Sequence, residues 1–412
     1  MTAADTTAHI VIVGAGHAGG SAAAFLRQFG WKGRITLVGE EPFLPYQRPP
    51  LSKTWLKEEM DASSVALRPI GFYRTNNIEL LTGVTATAID CDRCTVALST
   101  GKNLEYDELV LATGARPRVL AVPGHDLGGV LELRGIADAN RIRAALVAGS
   151  RLVVIGGGYI GLELAASARS IGASVAVIER EERLLARVAS PILSSFFHEA
   201  HEARDVRILC NAKVAAIEGD AGHATSVRLG DGTRLSCDAV LVGVGAGPDD
   251  RLARESGMVC ENGIVVDLAA RTSDPHVHAI GDCTWRPLPL YDRRFRLESV
   301  PNALEQAKQA AADLCGRPQP AHEVPWFWSD QYDIRLQIAG LPFDAASATV
   351  RGDPAAGRFA VFHLALDRTL QAVEAVNAPI EFMAGKSMIG RRKKVVADRL
   401  RDVSVSMQEL AS

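Results

Sequence analysis

The first 90 residues contain no cysteine, and the whole 412-residue chain has only seven. An odd number spread from Cys91 to Cys315 argues against a disulfide framework in so long a chain. The close pair Cys91 and Cys94, in IDCDRCTVAL, has no second pair or histidine cluster beside it. It therefore does not make a zinc site, and Asp92-Arg93 reads as the turn of a hairpin that carries two thiols. An excess of one charge is missing too: 45 Lys and Arg stand against 48 Asp and Glu, a net charge of −3. That balance gives no general attraction to nucleic acid or to an anionic membrane, so neither is expected as a partner. No apolar run approaches the roughly 20 residues that would span a bilayer. The opening MTAADTTAH lacks the basic segment and apolar core of a secretory signal, and a cytoplasmic location is expected. No Ser-His-Asp order, metal-ligand cluster or iron–sulfur spacing stands out, so no metal site is expected. The histidines are scattered, and His198 and His201 are expected to be solvated.

What the chain does have is a repeated unit. Residues 10–40 run as an apolar strand, a glycine turn, an alanine-rich helix and a second strand, ITLVGEE. Residues 151–180 repeat the scheme as RLVVIGGG, a helix from Tyr159 to Ile171, and SVAVIER. Two such βαβ units point to two domains of one architecture. Between them, TATAID, CTVALST and DELVLATG alternate as strands do, and GARPRVLAVPG suits a crossover. Ser190 and Pro191 suit the start of a helix, and Pro301 opens another in ESVPNALEQAKQAAADL. After GRPQPAHEVP the composition changes to WFWSDQYD, and then FAVFHLAL and TLQAVEAV alternate as antiparallel strands would.

Each unit carries a dinucleotide clamp. Gly14, Gly16 and Gly19, with Ala15, form GxGxxG between strand and helix. The first glycine permits the tight turn, the second lets backbone amides approach a pyrophosphate, and the third brings helix against strand. Glu40 ends the unit and can accept hydrogen bonds from a ribose diol. The second clamp has Gly156, Gly158 and Gly161, with Tyr159 and Ile160 among them, and Glu179 in the acidic position. Gly245 in VLVGVGAGP is grouped with it. A carboxylate at Glu179 welcomes a 2′-hydroxyl and repels a 2′-phosphate, so NADH is favoured over NADPH. Arg180, Arg183 and Arg187 lie close enough to compete for a phosphate. Two clamps suggest one resident and one exchanged dinucleotide, for which FAD and NADH are the natural pair.

The order GAGHAGG, YQRPPLSK, LVLATGARP, GGGYIGLELA, AIGDC, ESVPNALEQA and PWFWSDQY resembles the bacterial FAD-dependent ferredoxin reductases over nearly the whole chain. The resemblance implies an α/β fold with two Rossmann-like, glutathione-reductase-type dinucleotide-binding domains and an α+β C-terminal domain. The expected bounds are 1–116 with 244–320 for FAD, 117–243 for NADH, and 321–412 for the third domain. It further implies that Asp282 binds the ribitol chain, that Arg48 and Lys53 lie along the flavin, and that Glu163 faces Lys53 so that the pair seats the nicotinamide. Ala86, Ala112, Arg134 and Val300 would line FAD, and Trp328 would cover it. For Trp326 and Trp328 plain packing is the alternative, and for Lys53 and Glu163 a surface ion pair. The amides at the head of the helix near Val300 could, on physical grounds alone, stabilise negative charge on reduced flavin.

Disulfide reductases of similar architecture carry CxxxxC where this chain has YQRPPLSK, so electrons are expected to leave FAD without a sulfur relay. The expected reaction is hydride transfer from NADH to FAD and release of single electrons to a [2Fe-2S] ferredoxin. By resemblance, that ferredoxin serves a haem-thiolate monooxygenase or a ring-hydroxylating dioxygenase. Arg68, Lys308 and Arg335 are the candidate docking residues for an acidic partner, with the run Arg391, Arg392, Lys393 and Lys394 as a second possibility. The alternatives are an NADH oxidase or peroxide reductase of the same fold, or a flavoprotein whose main role is binding.

Overall fold

All five residues of the strand His9–Val13 are buried, the pattern of a strand covered on both faces. The computed structural model, which describes residues 7–58 and 60–412, shows why. This strand is central in a five-stranded parallel sheet ordered Val277–Ala279, Glu108–Leu111, His9–Val13, Arg34–Gly39, Ile78–Thr82. Ile10 and Ile12 pack with Leu26 of the helix His17–Phe29 and with Ala303 and Ala307 of the helix Val300–Leu314. Val11 and Val13 point to the other face, toward Val96 and Leu98 of an antiparallel three-stranded sheet. The Cys91/Cys94 segment is the hairpin turn expected from the sequence, with Asp90 paired to Thr95. These segments form one compact unit: the chain up to Arg48, Met60–Arg116 and Gly247–Pro325.

The second unit joins Pro49–Glu59, Pro117–Ala246 and Trp326–Ser412. It holds a second parallel sheet, ordered Val206–Leu209, Ser174–Ile178, Arg151–Ile155, Ala239–Val242, Val130–Leu131. It also holds an antiparallel five-stranded sheet ordered Trp326–Gln331, Ile334–Gly340, Leu370–Val376, Arg358–Ala365, Ala345–Asp353. The helix Pro379–Gly390 packs on that sheet, with Gly385 so close to Val373 that an added Cβ would lie 2.7 Å from Val373 Cγ1. Buried Arg351 donates to the carbonyls of Leu400, Asp402 and Val405, which fastens the C-terminal segment to the sheet. The fold is thus α/β with two Rossmann-like sheets and an α+β C-terminal portion, as expected.

Ser190 caps the helix Pro191–Glu202 by accepting from Leu193 N, as its sequence suggests. One expectation for that helix fails. His201 is 0% exposed, because its face of the helix lies against the strand Trp326–Gln331, where Gln331 receives the imidazole. Among the described residues no helix is long and apolar enough to cross a membrane.

Candidate functional site

The two glycine turns have the same construction. Gly14 has φ +110°, and a Cβ there would fall 2.1 Å from Ala112 O, so only glycine fits. A Cβ on Gly19 would fall 1.9 Å from Gly14 O, which shows how closely helix approaches turn. Gly16 differs: it heads the helix without a side-chain cap, and a Cβ there would meet nothing within 4 Å. The second turn repeats all three features. Gly156 has φ +111° with a virtual Cβ 2.3 Å from Gly243 O, Gly161 would clash at 2.2 Å with Gly156 O, and uncapped Gly158 faces open space. In both, the protein's own packing fixes the outer glycines, while an added Cβ on the middle one, at a helix N-terminus, would meet no protein atom. That cradle fits a diphosphate: first-turn amides of a helix have no partner within the helix, and with the positive end of the helix dipole they face the space a Cβ would fill.

Around the first turn, Glu40 follows the strand Arg34–Gly39 and pairs with Arg116 at 3.2 Å, which also reaches Asp249 at 2.8 Å. Arg48 is held by Glu41 at 2.8 Å and lies over the Tyr46 ring. Ala86 is buried at the start of its strand, and Ala112 follows the strand Glu108–Leu111. Asp282 sits in the turn Gly281–Cys283, which is fastened to the helix Val300–Leu314 through Gln306. Gln306 Oε1 accepts from Gly281 N and from Thr284 Oγ1, both at 2.9 Å. Sequence reading passed over His17, the residue after Gly16. Burial, reinforced by the Arg48 charge, lowers its pKa to about 4, and its Nδ1 is buried without a hydrogen-bond partner.

Around the second turn, Glu179 is built into the loop: its Oε2 accepts from Gly157 N at 2.7 Å and its Oε1 from Glu181 N at 2.9 Å. Of the arginines that could answer a 2′-phosphate, Arg183 is committed to the carbonyls of Ala186 and Ala189 and to Ser194 Oγ. Arg180 pairs with Glu181 at 3.0 Å. The Tyr159 ring packs edge-on against Phe327, while Ile160 is exposed and Gly245 follows the strand Ala239–Val242.

Lys53 and Glu163 meet in the second unit, with Nζ to Oε2 at 2.7 Å. The pair is no surface bridge, because the Glu163 side chain is 4% exposed. Ser52 Oγ donates to the same oxygen at 2.6 Å, and Ser329 Oγ donates to Oε1 at 2.7 Å. A buried carboxylate met by three donors is well satisfied. Ser52 and Ser329, absent from the sequence-based candidates, lie next to residues that were chosen, in PPLSK and WFWSD. Arg134 precedes the helix Ile136–Ala145. Trp328 is half-buried on the strand Trp326–Gln331 and stacks obliquely with Trp326, so packing accounts for part of its surroundings. Arg68, Lys308 and Arg335 are all exposed.

All seven cysteines are free thiols. Burial is the leading cause that raises the pKa of each, to about 11 for Cys91, Cys237 and Cys283. A raised pKa disfavours the thiolate that a redox-active cysteine needs.

Residues 8–307 match the pyridine nucleotide-disulphide oxidoreductase family, and residues 326–411 match the reductase C-terminal family. The chain is 51% identical over 403 residues to the "Probable ferredoxin reductase CtmF" of Castellaniella defragrans, covering 98% of each. It is 45% identical over 407 residues to putidaredoxin reductase CamA of Pseudomonas putida, covering 98% of this chain and 96% of that one. Among solved structures, the reductase in the covalent putidaredoxin reductase–putidaredoxin complex superposes with a TM-score of 0.96 at 43% identity, covering 98% of both chains.

Proposed function

The chain belongs to the pyridine nucleotide-disulphide oxidoreductase family, and from that premise we propose that it is an FAD-dependent NADH:ferredoxin reductase of the cytoplasm. When bound, FAD supplies the conversion of a hydride from NADH into single electrons for a [2Fe-2S] ferredoxin. The observation that carries this reading is the twice-built cradle, with Gly16 and Gly158 each beside open space, in a chain where burial raises the pKa of every thiol. Two dinucleotides and no sulfur relay leave an external one-electron acceptor as the exit.

In this reading each glycine turn gathers the residues of one dinucleotide site. The first clamp, with Glu40, Arg48, Ala86, Ala112, Asp282 and Val300, would hold FAD, and Arg134 and Trp328 keep the flavin-lining roles that resemblance gives them. The second clamp, with Glu179 and Gly245, would hold NADH. Lys53 and Glu163 would fix the nicotinamide end and exclude water from it. Exposed Arg68, Lys308 and Arg335 would steer an acidic ferredoxin, which in turn serves a haem-thiolate monooxygenase or a ring-hydroxylating dioxygenase.

Stopped-flow mixing of the yellow holoprotein with NADH, then with a [2Fe-2S] ferredoxin, tests the assignment. Fast bleaching and reoxidation that requires the iron–sulfur protein are expected. Equally fast reoxidation by oxygen or peroxide would transfer the chain to the oxidase class, and loss of turnover on thiol alkylation would remove the proposed electron path. Ferredoxin reduction should weaken steeply with salt while NADH-dependent dye reduction persists; an equal response in both would discard the basic docking residues.

A further inference from the structure

Behind the Lys53–Glu163 pair runs a continuous line of buried polar groups. Ser329 Oγ, which donates to Glu163 Oε1 at 2.7 Å, accepts from Gln331 Nε2 at 3.2 Å. Gln331 Oε1 faces His201 Nε2 at 2.8 Å, and His201 Nδ1 faces the Tyr332 hydroxyl at 3.1 Å. Ser329, Gln331 and His201 are each at most 1% exposed, so no bulk water substitutes for these partners. The line ends at the half-buried Tyr332, whose ring lies under the Arg204 guanidinium.

The carboxylate at one end dictates every proton position along it. Glu163 can only accept, so Ser329 spends its single proton there. Ser329 must then receive, which turns the Gln331 amide nitrogen toward it and the Gln331 oxygen toward His201. His201 answers with a proton on Nε2, leaving Nδ1 to accept from Tyr332. Burial lowers the His201 pKa, in accord with a neutral ring. On the other carboxylate oxygen, Lys53 and Ser52 compete for Oε2, so among the described residues Ser329 is the one donor to Oε1. Ser52 is itself fastened by Ser167 Oγ, which donates to its carbonyl at 2.7 Å.

We propose that Gln331 and His201 are positioning residues for the reductive step: acting through Ser329, they fix the rotation of the Glu163 carboxylate and hence the place of Lys53. This inference rests on the function proposed above. The chain makes no use of a titrating group. It uses the one-way sense of its hydrogen bonds to remove a rotational freedom that would otherwise blur the nicotinamide pocket.

Two measurements test it on the full-length holoprotein. The first is ring-15N NMR of histidine-labelled protein, which reports the His201 tautomer. The Nε2–H form should dominate, and Glu163→Gln, which can donate as well as accept, should let the other tautomer grow in. An unchanged tautomer would overturn the proposed coupling whether or not the protein reduces ferredoxin. The second is stopped-flow reduction by NADH of Gln331→Met and of the milder Ser329→Ala, each checked for an unaltered melting temperature and FAD content. The limiting reduction rate should fall about tenfold while the NADH dissociation constant changes by less than about twofold, since misorientation slows chemistry more than binding. Wild-type rates in both variants would overturn the positioning role. A wild-type protein that NADH does not reduce would instead refute the proposed function and leave the NMR result to stand by itself.

Discussion

Lys53 Nζ lies 2.7 Å from Glu163 Oε2, and the lysine reaches solvent with 19% of its side chain while the glutamate reaches it with 4%. Removing one partner strands the other. Lys53→Met should cost about 1–3 kcal/mol of unfolding free energy, below the full penalty for a broken buried pair because Ser52 and Ser329 still donate to the carboxylate. Adding Glu163→Gln should return most of that stability, as a neutral acceptor no longer needs a cation. It should not return the rate of reduction by NADH, which is expected to stay at least about tenfold low in both variants. Denaturant titration and stopped-flow reduction, run on the same preparations, separate the two effects. Recovery of rate with stability would give the pair a structural role alone.

The glycine turns make opposite predictions for neighbouring positions. Gly16→Ala places a methyl where the protein has nothing within 4 Å, so the chain should fold with an unaltered melting temperature as apoprotein and fail to retain FAD. Gly19→Ala drives a methyl to 1.9 Å from Gly14 O and should disturb the fold itself. Gly158→Ala should fold, keep FAD and weaken NADH. Absorbance of the purified proteins and their melting curves decide. A yellow Gly16→Ala protein with full FAD content would mean that the first cradle does not hold the diphosphate.

These turns were legible in the sequence because their cause is local: strand, turn and helix follow one another within about 20 residues, and each glycine answers a steric demand inside that stretch. The Lys53–Glu163 meeting was reached only through resemblance, since 111 residues separate Ser52 from Glu163 and nothing local encodes the contact. Ser329 and Gln331 escaped for the same reason, although strand alternation puts them with Phe327 on one face, and helical spacing puts Tyr159, Glu163 and Ser167 on another. Periodicity shows that two faces exist, and only the tertiary fold shows that they meet. His201 was misjudged because its helix had an evident polar side, and the strand that covers it lies 130 residues later.

Nucleotide preference follows from Glu179. Its carboxylate is held on the loop by Gly157 N and Glu181 N, while Arg183 is committed to three internal acceptors and Arg180 to Glu181. A 2′-phosphate would meet the anion without a free cation from either arginine. The kcat/KM for NADH should exceed that for NADPH by at least about tenfold, and Glu179→Ala should narrow the ratio mainly by weakening NADH. A preference for NADPH in the unaltered protein would show that Arg187 reaches the phosphate instead.

Acid stability should turn on His17. Burial first, and the Arg48 charge second, lower its pKa from an ordinary 6.5 to about 4. The unfolded chain therefore binds the proton more readily than the folded one, and each protonation of the unfolded state draws the equilibrium away from the fold. Stability is complete above pH 6.5 and declines as the pH falls from there toward 4, by up to roughly 1.4 kcal/mol per pH unit for this one group. His9 and His201, also lowered chiefly by burial, act in the same direction. The depressed carboxylates Glu218 and Asp367, both about 2, lose their contribution only below their ordinary values of 4.5 and 3.8, outside the range from pH 7 to 5. Urea unfolding of the apoprotein between pH 7 and 5 should show the decline, and His17→Gln should flatten it by about 2 kcal/mol across that range. An undiminished slope in that variant would mean that the His17 ring is hydrated enough to titrate normally in the folded chain.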